Sequence, residues 1–228
     1  MPSQAMTDVM DILRERQTAS AERIAPTLAQ RRATFAPAGR LHPIPDDVQV
    51  SHVSAGGVSC YWLDAPQIDF NRVLLFLHGG GYEFGSLRSD GELAARMGRA
   101  GKMRVLFVEY RLAPEHPFPA AVDDVLTAWR WLCANHDPTA RSLAVAGDSA
   151  GGGLAVALLV ALRDAGESLP AAAALMSPTV DLTCSGISMI ERIDQDPIST
   201  PRCFVSWPGT IWREPNPRRL WHRRSSLR

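Results

Sequence analysis

The sequence has no excess of charge of either sign. Its 24 basic and 24 acidic side chains cancel, which removes any electrostatic argument for a nucleic acid or an anionic membrane surface as partner. Lysine is nearly absent, because Lys102 is the only lysine among the basic residues. This balance favours a small neutral molecule as the ligand.

Cysteine is scarce as well, and the four cysteines lie far apart. They form no C-x-x-C pair and show no spacing typical of metal ligands, so we expect neither a disulfide framework nor a metal site. They are Cys60, Cys133, Cys184 and Cys203. This pattern favours the reducing environment of the cytoplasm.

Long apolar runs are missing. No stretch reaches the roughly 18 apolar residues that a helix needs to span a bilayer. Asp8, Asp11 and Glu15 interrupt the N-terminal segment, which therefore lacks the continuous apolar core of a signal peptide. We expect a cytoplasmic protein without a membrane span.

The middle of the chain alternates apolar runs with helix-forming segments. Four runs have the continuous apolar character of strands that are buried on both faces: 73–77, 105–108, 143–146 and 172–175. Helical segments are predicted near 92–99, 120–135 and 150–165. Such alternation is typical of an α/β fold with a doubly wound, mostly parallel sheet.

The segment before these runs combines helical and alternating patterns. Apolar residues at helical spacing predict two short amphipathic helices that end near Phe35. Two alternating runs then flank Gly56 and Gly57, and they predict a pair of strands that leads into the sheet. We expect a helical segment over 1–45 and a partial α/β core over 46–197.

The last residues, 198–228, have a different composition. They contain seven arginines, one acidic residue and three of the six tryptophans. A solvated basic tail is one interpretation, but disordered tails are poor in aromatic residues. We therefore interpret 198–228 as an anomalous segment, truncated or frameshifted with respect to the fold.

A G-x-S-x-G motif at 147–151 lies directly between a predicted strand and a predicted helix. This context is the one in which the motif presents a serine nucleophile on a sharp strand-to-helix turn. The motif predicts Ser149 as the nucleophile. The backbone N–H of Ala150, at the start of the helix, is then placed to donate to an oxyanion.

A second glycine-rich motif follows the predicted strand that ends at Leu77. His78 is followed by three glycines and Tyr82. A phosphate-binding loop is the alternative, but no lysine follows and the G-x-G-x-x-G spacing is absent. We predict that Gly79 and Gly80 donate to the same oxyanion as Ala150.

These two motifs and a third, YRLAPEHPFPAA at 110–121, resemble the hormone-sensitive-lipase family of bacterial esterases, over roughly residues 5–197. The resemblance is to actinobacterial carboxylesterases and monoterpene ε-lactone hydrolases. It implies an α/β-hydrolase fold whose N-terminal helices form part of a cap. It also implies that Tyr82 and Asp148 line the substrate pocket, and that the segment 110–119 braces the sheet.

The resemblance also implies an acid and a histidine after the nucleophile, and here the sequence departs from the family. His222, the only histidine after Ser149, lies in the anomalous segment. A triad of Ser149 with Asp181 or Asp196 and His222 has the right order but the wrong spacing. The aspartates match scaffold segments of the family, and we interpret His116 and His136 as scaffold or solvated residues.

Two functions therefore stand. One is a serine hydrolase for short-chain esters or lactones, which forms an acyl-enzyme on Ser149 and needs no cofactor. The other is a truncated, catalytically impaired remnant. The sequence leaves the oligomeric state open, and it predicts exposed apolar surface and aggregation if the sheet ends after the run at 172–175.

Overall fold

The computed structural model describes residues 3–21, 27–35, 42–136, 142–183, 185–192 and 195. The chain forms two compact units, Met1–Gln30 with Asp181–Arg228, and Arg31–Val180. The described part of the first unit contains helices α1 (Gln4–Ala21) and α6 (Ser188–Glu191). Helix α2 (Leu28–Phe35) begins in the first unit and continues in the second.

The second unit contains a six-stranded sheet. Its strands in chain order are β1 (Gln49–Ala55), β2 (Val58–Asp64), β3 (Asp69–Leu77), β4 (Met103–Val108), β5 (Leu143–Asp148) and β6 (Ala172–Met176). Their order in the sheet is β1-β2-β4-β3-β5-β6. The pairs β1·β2 and β2·β4 are antiparallel, whereas β4·β3, β3·β5 and β5·β6 are parallel.

Three helices cover the two faces of this sheet. Helix α3 (Leu87–Gly101) packs Ala94 and Ala95 against Leu74, Phe76 and their neighbours on one face. Helices α4 (Ala120–Asn135) and α5 (Ser149–Ala165) cover the other face, where they bury Leu132 and Leu158. The alternating directions of successive side chains along β3 supply both cores from one strand. The fold class predicted from the alternation is confirmed.

Strand β6 differs from its prediction. The apolar run at 172–175 predicts burial on both faces, but all four of these residues are exposed. Leu175 is 37% exposed, whereas Leu75 in β3 is completely buried. The run therefore forms a strand but not a buried one, because covering both faces requires packed layers that composition alone does not supply.

Among the described helices, none is long and apolar enough to cross a membrane.

Candidate active site

Ser149 lies at the turn where β5 ends and α5 begins. Its φ of +49° is in the left-handed region, which costs a residue with a side chain ~1–2 kcal/mol. A methyl group added to Gly147 would lie 2.4 Å from the carbonyl carbon of Gly151, so only glycine fits this side of the turn. The strained turn is the geometry that the motif predicts for a nucleophile.

The first turn of α5 packs closely on the end of β3. A methyl group added to Gly151 would lie 2.0 Å from the carbonyl oxygen of Leu77 and 2.5 Å from that of His78. This approach brings Ser149 next to residues 78–85, which we call the glycine loop. Ala150 is buried in the same helical turn, where N–H groups have no partner within the helix.

The peptide group between His78 and Gly79 is fixed at both ends. The Tyr110 hydroxyl donates to the carbonyl oxygen of His78 at 2.7 Å. At the other end, the Asp148 carboxylate lies against Gly79, and the Gly79 N–H lowers the pKa of that carboxyl. The segment 110–119, which the resemblance assigns to bracing the sheet, thus also braces the glycine loop.

The next peptide group, between Gly79 and Gly80, is fixed by a histidine. Nδ1 of His78 lies 2.8 Å from the carbonyl oxygen of Gly79, and because a carbonyl only accepts, we assign the proton to Nδ1. The ring is stacked between Phe107 and Tyr110, with centroid distances of 5.7 and 4.2 Å. Burial lowers the pKa of His78, so the ring remains neutral.

The third peptide group, between Gly80 and Gly81, is fixed by backbone donors. Its carbonyl oxygen accepts the N–H groups of Glu83 and Phe84, each at 3.1 Å. Gly80, Gly81 and Tyr82 have φ values of +108°, +61° and +63°, a left-handed run that favours glycine at the first two positions. The loop is therefore tightly wound and strained at Tyr82.

Fixing the carbonyls fixes the N–H groups as well. In a planar trans peptide the C=O and N–H bonds point in opposite directions. The N–H groups of Gly80 and Gly81 thus point away from their bound carbonyls, and within the described ranges no hydrogen-bond acceptor contacts them. Two oriented N–H groups remain free beside the first turn of α5.

Asp148 places a half-buried carboxylate against the glycine loop. Its Oδ2 would lie 2.2 Å from a methyl group added to Gly79. Its Oδ1 is buried without a partner among the described residues. Burial, and then the charge of Asp90, raise the pKa of Asp148 to about 6. The group therefore takes up a proton in slightly acidic solution.

Tyr82, predicted to line the substrate pocket, lies over α5. Its hydroxyl would be 2.6 Å from a methyl group added to Gly153. Its carbonyl oxygen accepts the N–H of Ala113 at 2.9 Å. Burial raises the pKa of Tyr82 to about 12, so the phenol is neutral at physiological pH.

Of the acid and base candidates that follow Ser149 in the sequence, the structure describes only Asp181. Over the part of the chain that the structure describes, no side chain forms a hydrogen bond with the Ser149 hydroxyl. Asp181 accepts hydrogen bonds from Thr183 and Ser185, which lower the pKa of its carboxyl to about 2. Asp196 and His222 lie outside the described residues.

The remaining histidine candidates lie elsewhere. His116 is exposed. His136 packs edge-on against Trp62, with ring centroids 5.3 Å apart. No group of three or more histidine, cysteine, aspartate or glutamate side chains that suits a metal ion occurs in the described ranges.

Sequence reasoning missed Glu83. Its side chain is completely buried and pairs with Arg31, whose Nη1 lies 2.7 Å from Oε2. The only signal in the sequence is a charged residue inside a glycine loop that follows a buried strand.

Comparison with known proteins agrees with this geometry. Residues 74–219 match the family model described as alpha/beta hydrolase fold. An acetyl-hydrolase of Streptomyces hygroscopicus is 47% identical over 154 residues, which cover 68% of this chain and 50% of the relative. Carboxylesterase NlhH of Mycobacterium tuberculosis is 35% identical over 165 residues, covering 67% of this chain and 50% of the relative.

Solved structures lead to the same group. A crystal structure of an esterase from the bacterial hormone-sensitive lipase family matches with a TM-score of 0.84 and 37% identity. The match covers 95% of this chain and 72% of that one. This chain spans about half the length of the curated relatives it matches. Its fold, its motifs and these matches show that it belongs to the α/β-hydrolase family and is similar to the bacterial hormone-sensitive-lipase esterases.

Proposed function

We propose that this chain carries the nucleophile and the oxyanion-binding half of a serine carboxylic-ester hydrolase. The observation that carries the proposal is the glycine loop, in which three successive carbonyls are bound and two N–H groups are left free next to the Ser149 turn. Donors aimed at a position where negative charge develops are the main electrostatic means of accelerating acyl transfer.

In the proposed reaction the Ser149 hydroxyl attacks the carbonyl carbon of a small ester. The carbonyl π electrons move to oxygen, and the resulting oxyanion accepts hydrogen bonds from backbone N–H groups. The tetrahedral intermediate collapses to an acyl-enzyme on Ser149, and the alcohol leaves with the proton that the Ser149 hydroxyl has lost. Water then hydrolyses the acyl-enzyme and restores the hydroxyl.

We propose Gly80, Gly81 and Ala150 as the donors. The sequence predicts Gly79 in place of Gly81, but the Gly79 N–H lies beside the Asp148 carboxylate, which competes with an oxyanion for it. Gly79 serves in this proposal to fix the loop. Gly80 and Ala150 keep the role that the motifs predict for them.

The proposed substrate is a small ester or lactone. The names of the relatives, an acetyl-hydrolase and a carboxylesterase, support the ester class. Tyr82 and Asp148 are proposed to line the pocket, because both lie against the first turns of α5 or the glycine loop. A neutral phenol and a carboxyl that is easily protonated suit an uncharged substrate.

A second candidate is ester binding with greatly reduced turnover. It is favoured by the Ser149 hydroxyl, which has no base as a hydrogen-bond partner among the described residues. Serine hydrolases that lose their base retain roughly 10³- to 10⁴-fold catalysis over water from the oxyanion hole and binding alone.

Hydrolysis of p-nitrophenyl acetate by the full chain distinguishes the two candidates. We expect turnover that Ser149→Ala abolishes and that Ser54→Ala, a matched change at an exposed serine of β1, leaves unchanged. Labelling by a fluorophosphonate probe, located by mass spectrometry, should occur at Ser149. Turnover that survives Ser149→Ala contradicts the proposal.

A His222→Ala variant adds a second arm to this experiment. Loss of turnover in both Ser149→Ala and His222→Ala supports an intact proton-transfer system within this chain. Weak Ser149-dependent turnover that is indifferent to His222→Ala supports the impaired candidate.

A further inference from the structure

The Glu83 side chain lies in the glycine loop but has no role in the ester hydrolysis proposed above. It has no exposed surface, and its only side-chain partner among the described residues is Arg31, which donates to Oε2 at 2.7 Å. Oε1 is buried without a partner in the same ranges. A completely buried carboxylate within a surface loop needs a physical reason.

The reason lies in the cost of that burial. Removing a carboxylate from water is strongly unfavourable unless a cation compensates it, and the compensation requires a fixed geometry. An apolar residue at position 83 would fill the space without such a requirement. The ion pair therefore fixes where Glu83 sits relative to the second half of α2.

The backbone of Glu83 is held as well. Nε of Arg32 donates to the Glu83 carbonyl at 2.8 Å, and Nη2 of the same residue donates to the Ala113 carbonyl at 3.0 Å. Two consecutive arginines of α2 thus bind the side chain and the carbonyl of one loop residue. Together they determine the orientation of the Glu83 peptide groups.

This orientation reaches the oxyanion donors. The Glu83 N–H donates to the Gly80 carbonyl at 3.1 Å, which sets the plane of the peptide that carries the Gly81 N–H. The turn between these residues holds three left-handed residues in succession, a conformation that persists only when its surroundings over-determine it.

We propose that Arg31 is a positioning residue of the esterase site, which acts through the buried Glu83 carboxylate to hold the turn at 80–82 with the Gly80 and Gly81 N–H groups aimed at the oxyanion. The inference rests on the proposed function. It assigns to α2 a part in transition-state stabilisation, in addition to any part in covering the substrate.

The test replaces the ion pair by apolar side chains of similar size. The double variant Arg31→Met/Glu83→Leu removes both charges together, so no unpaired charge stays buried and the fold is retained. With p-nitrophenyl acetate we expect kcat to fall about 10- to 100-fold, part of the effect of losing one oxyanion donor. KM should change little, because the donors act mainly on the transition state.

A second readout measures the oxyanion site without turnover. A phenyl trifluoromethyl ketone adds reversibly to the serine hydroxyl and forms a tetrahedral oxyanion adduct. Its affinity should fall by about the same factor as kcat/KM in the double variant, as expected for a transition-state analogue. The single variant Arg31→Lys keeps the charge and should recover most of the lost kcat.

The matched control is the exposed ion pair of Arg130 and Glu167, whose atoms lie 2.6 Å apart. Arg130→Met/Glu167→Gln should leave kcat and ketone affinity unchanged. Wild-type kcat in a double variant whose melting temperature is also unchanged overturns the role of Arg31. Absence of Ser149-dependent turnover in the wild type instead overturns the proposed function, and the inference with it.

Discussion

Strands β3 and β6 are parallel strands of one sheet with similar apolar sequences, yet their surroundings differ. Residues 73–77 of β3 are all buried, whereas residues 172–175 of β6 are all exposed. Ser149 follows β5, the strand between them. Ser149, the proposed nucleophile, thus follows the strand that separates the buried strand β3 from the exposed edge strand β6. Packing, rather than strand composition, determines which part of the sheet can hold a site rigidly.

The largest expected effect is on stability. One leucine substitution in β3 and one in β6 compare the two strands. Leu75→Ala, at a completely buried position, should lower the free energy of unfolding by about 2–5 kcal/mol. Leu175→Ala, at a position with 37% exposure, should cost about 0.5 kcal/mol or less. Urea denaturation at equilibrium gives both values. Equal losses would mean that β6 is covered in solution, and the contrast would then fail.

A smaller effect, on kcat, is expected in the glycine loop that follows the buried strand β3. A methyl group added to Gly80 would lie 2.1 Å from the carbonyl oxygen of Phe84, at a φ of +108°. Gly80→Ala should therefore displace the glycine loop and lower kcat by about 10²- to 10³-fold, the effect of losing an oxyanion donor. Steady-state hydrolysis of p-nitrophenyl acetate measures it.

Gly57→Ala is the control for backbone strain. Gly57 has a similar φ of +96°, with no atom within 4 Å of an added methyl group. It should leave kcat unchanged, although its left-handed conformation should cost ~1–2 kcal/mol of stability. A kcat loss in Gly57→Ala as large as that in Gly80→Ala would show that global strain, and not the position of the donor, causes the effect.

The last effect, on the pH dependence of stability, concerns the Asp148 carboxyl, which lies against the glycine loop. Burial and the charge of Asp90 raise the pKa of Asp148 from 3.8 to about 6. Between these values the folded state binds a proton that the unfolded state has lost, so this group makes stability fall as the pH rises from about 4 to about 6. Asp148→Asn keeps an acceptor for the Gly79 N–H but does not titrate.

Melting temperatures between pH 4 and pH 8 test this expectation. Relative to Asp148→Asn, the wild type should lose stability over the lower part of this range and then run parallel to the variant. Parallel curves throughout would show that Asp148 does not have the raised pKa, and that its carboxylate stays ionised beside Gly79.

The sequence predicts individual strands and turns better than it predicts which strands pair and which layers cover them. The apolar runs of β3 and β5 and the G-x-S-x-G motif are local signals, so these two strands and the strand-to-helix turn at Ser149 are predicted correctly. The role of Ser149 as nucleophile stays a prediction. The antiparallel pairing of β2 with β4 joins residues such as Cys60 and Val108, and no local periodicity specifies such a pairing. The exposure of β6 likewise depends on which layers cover it.

In the candidate site, too, local motifs predict some residues and miss others. Ser149, Gly80 and Ala150 follow from motifs, because a strained turn and a close backbone approach restrict the residue types. The burial of Glu83 does not follow, since glutamate is almost never fully buried unless it is paired. Its partner Arg31 is 52 residues away in the sequence. No local pattern identifies an ion-pair partner that lies so far away in the sequence.

The three bound carbonyls of the glycine loop have one further consequence. Water molecules around a developing oxyanion must rotate as charge appears, and this reorganisation raises the barrier of the reaction in solution. In the proposed oxyanion site, the ring of His78 orients the peptide dipole that ends in the Gly80 N–H, and the N–H groups of Glu83 and Phe84 orient the one that ends in the Gly81 N–H, before any substrate arrives. Their orientation is completed during folding. The proposed reaction therefore needs no reorganisation of these dipoles as the negative charge develops.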